Sequence, residues 1–113
     1  MPEDLREVVD EGTLDEVRQT ELVILYKHST RCPISFGAKH EVDRFVKQNP
    51  DVPVFVLNVV QDRTLSRQVA EELGVRHESP QAILMHLGEV MKHASHRHIT
   101  VQLLEEWVAE TAG

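Results

Sequence analysis

Hydrophobic and polar positions alternate along this chain in blocks that switch period. Leu22 to Tyr26 is an unbroken apolar run, the mark of a strand buried on both faces. Ala38, Val42, Phe45 and Val46 then recur at helical spacing, and Asn49-Pro50 ends that helix. Val54 to Val59 predicts a second buried strand. Leu65, Val69 and Leu73 repeat every four residues, which predicts a helix closed by Gly74. Ala82 to Leu87 predicts a third strand, turned at Gly88-Glu89 into a fourth, Val90 to Ala94. Upstream, Thr13-Leu14-Asp15-Glu16 reads as a capping box in which Thr13 opens a short first helix. Downstream, Thr100 caps a last helix, with Ile99 and Leu104 spaced as a hydrophobic staple and Leu103, Leu104, Trp107 and Val108 on its apolar face. The order is helix, strand, helix, strand, helix, strand, strand, helix. A helix joins the first two strands, so they should run parallel, while the last two form an antiparallel hairpin. The expected architecture is α/β: a mixed central sheet of about four strands flanked by helices.

Length and charge narrow the setting. The 113 residues suit a single domain spanning 1–113. No apolar run approaches the roughly 20 residues a membrane span needs, and the N-terminus, Met1-Pro2-Glu3-Asp4, is acidic, unlike a signal or transit peptide. A cytoplasmic protein with no membrane partner is the expectation. The formal net charge of -7 repels phosphates, so nucleic acid is not an expected partner. The chain has one cysteine, which fits a reducing compartment and rules out an internal disulfide.

That cysteine stands where its chemistry would be favoured. Cys32-Pro33 follows a buried strand and opens a helix, and Pro33 suits the first helical position because the N–H it lacks would be unpaired there. The free N–H groups and the helix dipole stabilise negative charge, hence a thiolate, which is the attacking species in disulfide exchange. Ser35 lies three residues on, on the same helical face; its hydroxyl can donate to the sulfur but cannot form a disulfide. Arg31, Lys27 and His28 add positive potential nearby.

Cys32-Pro33-Ile34-Ser35 resembles the Cys-x-x-Cys site of thioredoxins with serine in the second position. Gly74-Val75-Arg76-His77-Glu78-Ser79-Pro80 resembles the stretch that leads to that superfamily's cis-proline. Thr30-Arg31-Cys32-Pro33-Ile34-Ser35 together with Glu78-Ser79-Pro80-Gln81 most closely resembles the monothiol bacilliredoxins, the YtxJ-type proteins of the bacillithiol system. Two features depart from thioredoxins: Tyr26 stands where they carry a buried acid, and Arg31 where they carry a tryptophan. The resemblance implies a thioredoxin-like fold and a monothiol thiol–disulfide oxidoreductase that removes bacillithiol from protein mixed disulfides through Cys32. Cys32, Pro33 and Ser35 would form the catalytic group. Ser79, beside a cis Pro80, would pair with substrate backbone, and Ile34 would form a docking rim. The implied partners are S-bacillithiolated client proteins and a small thiol, with bacillithiol as co-substrate and no tightly bound cofactor. Bacillithiol carries a malate group, and its two carboxylates would be met by cations drawn from Lys27, His28, Arg31, Arg76 and His77.

Seven histidines raise the question of a metal, above all His93, His96 and His98 after the hairpin. No thiol or acid stands at ligand spacing with them, so they read as surface residues and no metal is expected. Three other readings stand beside the leading one: a glutaredoxin-like protein, a peroxide-reducing single-cysteine protein, and a non-catalytic binding or stress protein that keeps only the fold.

Overall fold

The computed structural model describes residues 5–112, so the Met1-Pro2-Glu3-Asp4 segment lies outside the described residues. The elements are β1 (Leu5–Glu7), α1 (Glu11–Gln19), β2 (Leu22–His28), α2 (Pro33–Gln48), β3 (Val54–Asn58), α3 (Arg63–Leu73), β4 (Gln81–His86), β5 (Glu89–Ser95), a 3-10 turn at His96–His98 and α4 (Val101–Ala112). The sheet order is β1-β3-β2-β4-β5. The first three strands run parallel; β4 pairs antiparallel with β2, and β5 with β4. The sheet therefore has five strands, where about four were expected. The extra one, β1, is three residues long, too short to carry a readable period.

Three boundaries differ for local reasons. The N-cap of α1 is Asp10, not Thr13: the Asp10 carboxylate accepts the Thr13 N–H at 2.8 Å, and the Thr13 hydroxyl accepts the Asp10 N–H at 3.1 Å. Thr13 is thus the last residue of the box and the third of the helix, rather than its start. Strand β2 runs past Tyr26 through Lys27 and His28, because both polar side chains find partners inside the fold. The hairpin turns on Leu87-Gly88, not Gly88-Glu89: His86 pairs with Glu89, and both central residues have positive φ, 47° and 85°. That pair of angles matches the twist of the flanking strands. Further along the hairpin, Leu84 pairs with Lys92 but Met85 with Val90, so Met91 bulges from β5.

Alternation along the strands splits the core in two. Ile24, Tyr26, Val54, Val56, Ala82 and Leu84 face α2 and α4, where Ala38, Val42, Phe45, Val46, Leu104 and Trp107 cover them. Val23, Leu25, Phe55, Leu57, Ile83 and Met85 face α1 and α3, packed on Leu14, Val17 and Val69. The helical spacings of α2 and α3 thus mark opposite faces of one sheet. Gly74 ends α3 in the left-handed conformation, φ 65°. At the start of α4, Thr100 Oγ1 accepts the Leu103 N–H at 3.1 Å, and Ile99 and Leu104 are buried in the same cluster. Among the described residues no helix is long and apolar enough to cross a membrane.

Candidate functional site

Strand β2 delivers the chain to Cys32 at the C-terminal end of the parallel strands, where ligands of α/β sheets gather. Cys32 is the N-cap of α2 and Pro33 its first residue. The thiol is half-buried, and its pKa is held below the ordinary value. The backbone N–H of Ser35 contributes most, partial desolvation opposes it, and the Ile34 N–H and Ser35 hydroxyl add to the lowering. Ser35 is fully buried, and its Oγ accepts the Ser29 N–H at 3.3 Å. With a lone pair so occupied, the hydroxyl proton is free to point at the sulfur. Ser29 Oγ in turn accepts the Arg31 N–H at 3.2 Å, which shapes the turn before the cysteine.

Beneath α2, Tyr26 is fully buried and donates its hydroxyl to the Ser35 carbonyl at 2.9 Å. His28 Nδ1 lies 3.2 Å from the Tyr26 hydroxyl oxygen, whose own proton goes to the carbonyl, so the proton between them belongs to Nδ1. Burial, with the nearby Lys39 charge, pushes the imidazole pKa down; Asp43 opposes this. Burial pushes the phenol pKa up, aided by the negative charges of Asp43 and Cys32. Both groups are therefore neutral at physiological pH, and the position that holds an acid in thioredoxins holds a neutral donor. His28 packs edge-on against the exposed ring of Phe36, centroids 5.5 Å apart.

On the other face, Lys27 is also fully buried. Its ammonium donates to Gln81 Oε1 at 3.0 Å and to His77 Nδ1 at 3.1 Å. Gln81 Nε2 donates to the Arg76 carbonyl at 3.0 Å. Burial lowers the Lys27 pKa to about 8, against the opposing charge of Glu78. This cluster ties β2 to the loop that ends at Pro80. Lys27 pairs with Gln81 in the sheet, so Pro80 lies beside the end of β2, where the chain leaves for Cys32.

The Ser79-Pro80 bond is cis, and the Pro80 carbonyl accepts the His96 N–H at 2.9 Å. Ser79 Oγ is inaccessible and has no partner among the described residues. That hydrogen bond brings the 3-10 turn against the start of α2. Together they enclose a groove of about 380 Å³ lined by Pro33, Ile34, His96, Arg97 and Thr100, with Ile34 exposed on its rim.

The five basic residues suggested by the sequence do not form one patch. Lys27 and His28 are buried on opposite sides of the sheet, and His77 turns towards α3 onto Ser66 Oγ at 3.4 Å. Arg31 and Arg76 are exposed. The sequence does not place His96 and Arg97 beside Pro33 and Ile34, where the fold puts them. Their only signal in the sequence is the histidine cluster, which reads as a set of surface residues. His96 adopts φ 55°, which turns the chain into the groove. Among the described residues no three His, Cys, Asp or Glu side chains gather to hold a metal ion.

Comparison with known proteins agrees with this geometry. A solved structure described as "a putative oxidoreductase with a thioredoxin fold" is 31% identical, covers 90% of this chain and 91% of its own, and superposes with a TM-score of 0.84. Thioredoxin from Trypanosoma brucei brucei (10% identity, 96% of this chain and 90% of its own, TM-score 0.78) and thioredoxin NaTrxh from Nicotiana alata (16%, 97% and 94%, TM-score 0.76) share the fold. The family model for the monothiol bacilliredoxin BrxC matches residues 3–104. The chain belongs to the monothiol bacilliredoxin family, a thioredoxin-fold group whose role is thiol redox chemistry.

Proposed function

We propose that this protein, acting as one thioredoxin-like domain over residues 1–113, removes bacillithiol from mixed disulfides on client proteins in the cytoplasm. The observation that carries the reading is Cys32 as the N-cap of α2, its pKa lowered chiefly by the Ser35 N–H at the helix start, in a chain with no second thiol. The Cys32 thiolate attacks the bacillithiol sulfur of the client disulfide. A Cys32–bacillithiol disulfide forms, and the client sulfur leaves as a thiolate. A second thiol, bacillithiol itself or a redoxin, then attacks the bacillithiol sulfur of that adduct, and Cys32 leaves as the thiolate. The same N–H groups that stabilise the attacking thiolate stabilise the leaving one. Pro33 sets the helix start and Ser35 holds the sulfur. Ser79 offers backbone beside Pro80 for strand-like pairing with the client. Ile34 forms an apolar rim, Arg31 and Arg76 supply cations around the loops, and His77 offers a neutral imidazole donor. Bacillithiol is a co-substrate in this cycle, and no bound cofactor takes part.

Intact-mass analysis after exposure to oxidised bacillithiol, and separately to oxidised glutathione, tests the reading. A bacillithiol adduct on wild type, absent from Cys32→Ala and formed faster than the glutathione adduct, is the expected result. Faster reaction with glutathione would favour a glutaredoxin-like role; no adduct with either would overturn thiol exchange. Ser35→Cys should discharge the adduct as an internal disulfide, which wild type cannot form.

A further inference from the structure

A second cavity, of about 240 Å³, lies along the first turns of α3 and is lined by Val59, Arg63, Ser66, Arg67 and His77. It opens at the same edge of the sheet as the nucleophile, since the Val59 N–H binds the carbonyl of His28, the last residue of β2. Every polar side chain lining it is a hydrogen-bond donor, and none is acidic. That composition stands out in a chain of 19 acidic and 12 basic residues. Arg63 and Arg67 lie one helical turn apart, and neither forms a salt bridge among the described residues.

The wall behind His77 adds a third cation. His77 Nδ1 receives the Lys27 ammonium at 3.1 Å and faces Ser66 Oγ at 3.4 Å. With Nδ1 acting as acceptor, the ring proton sits on Nε2, which is left as a donor. Lys27 is fully buried, and its hydrogen-bond partners are neutral, an amide oxygen and an imidazole nitrogen; the Glu78 charge acts on it from a distance, without a salt bridge among the described residues. A buried cation is ordinarily paired with an anion. Here the place for one is a single imidazole away.

We propose that this cavity is a binding site for a small oxyanion, held between Arg63 and Arg67 and by the His77 Nε2–H, with the Lys27 charge behind it. Carboxylate and phosphate both fit this donor set. The volume admits a short dicarboxylate or a single phosphoryl group. The two sources have different meanings: a dicarboxylate would match the tail of a small thiol, and phosphate would mark a ligand unrelated to thiol exchange. The site does not depend on Cys32 chemistry and is tested without it.

Amide chemical shifts of the full chain are followed during titration with malate, with inorganic phosphate and with chloride as control. Saturable shifts at Val59, Arg63, Ser66, Arg67 and His77 with either oxyanion, absent with chloride, are expected, with the tighter oxyanion naming the source. Arg63→Gln with Arg67→Gln should weaken binding roughly tenfold, the loss of two partly screened charge contacts. Both arginines are exposed, so the double variant should fold. Arg97→Gln, in the groove beside Ile34, should leave the affinity unchanged. Absence of saturation with both oxyanions, an unchanged affinity in the double variant, or a loss confined to Arg97→Gln would each overturn the proposal.

Discussion

Tyr26 and Lys27 are neighbours on one strand, both fully buried, and they build opposite environments. Under α2 lies a neutral network: Tyr26 donates to the Ser35 carbonyl, and His28 donates to Tyr26. Across the sheet lies a charged one: an ammonium held by Gln81 and His77. The neutral side fixes the helix start without an ionisable acid that would compete with the thiol for a proton. The charged side fixes the Pro80 loop. Positioning the start of α2 at Cys32 and positioning the cis-proline loop are thus separate tasks, given to adjacent residues of β2.

Four substitutions break or sharpen that contrast. The largest effect belongs to the sulfur that both sides serve: Cys32→Ser should abolish adduct formation in mass spectra while leaving the thermal unfolding curve close to that of wild type.

Next comes Lys27→Met. The folded pKa of Lys27, about 8, lies below the ordinary 10.5, so the unfolded chain binds the proton more tightly. Below pH 8 the buried charge opposes folding by on the order of 3 kcal/mol. That opposition fades as pH rises from about 8 towards 10.5, so wild-type stability should climb from this group across the window. In Lys27→Met the climb should vanish, as read by denaturant unfolding at pH 7.5 and pH 10. An equal climb in both proteins would remove Lys27 as its source.

Tyr26→Phe leaves the Ser35 carbonyl and His28 without their partner and should destabilise the fold by about 1–2 kcal/mol. The pH midpoint of Cys32 alkylation should stay put, because the phenol touches the helix and not the sulfur. Ser35→Ala should do the reverse on a smaller scale. It removes one donor from the thiolate while the Ser35 and Ile34 N–H groups remain, so the alkylation midpoint should rise by less than about one unit. A rise after Tyr26→Phe as large as that after Ser35→Ala would merge the two roles.

The same strand marks how far the sequence could be read. Ala38, Val42, Phe45 and Val46 announce the buried face of α2 because helical spacing is a local property, and Cys32-Pro33 announces the start of that helix for the same reason. Lys27 carries no such signal. A lysine after an apolar run reads as the end of the strand, and its burial depends on Gln81, which lies 54 positions away. The spread of the basic residues over two faces follows from the same cause, since alternation beyond Tyr26 was not expected to continue. The groove at His96 and Arg97 depends on a backbone bond to Pro80 that no spacing encodes. Strand β1 holds its place through pairing with Val54, Phe55 and Val56, not through a pattern of its own.

The bulge at Met91 bears on how the molecule meets copies of itself. β5 is one of the two edges of the sheet, opposite the short β1, and its outer backbone groups are a template on which another extended chain could add. An extra residue there breaks the even spacing of that row and increases the local twist. Beside it, Lys92 pairs with Glu110 of α4, which sets charge along the rim. An irregular, charged border discourages strand addition from neighbouring molecules, as edge strands of soluble sheets commonly do.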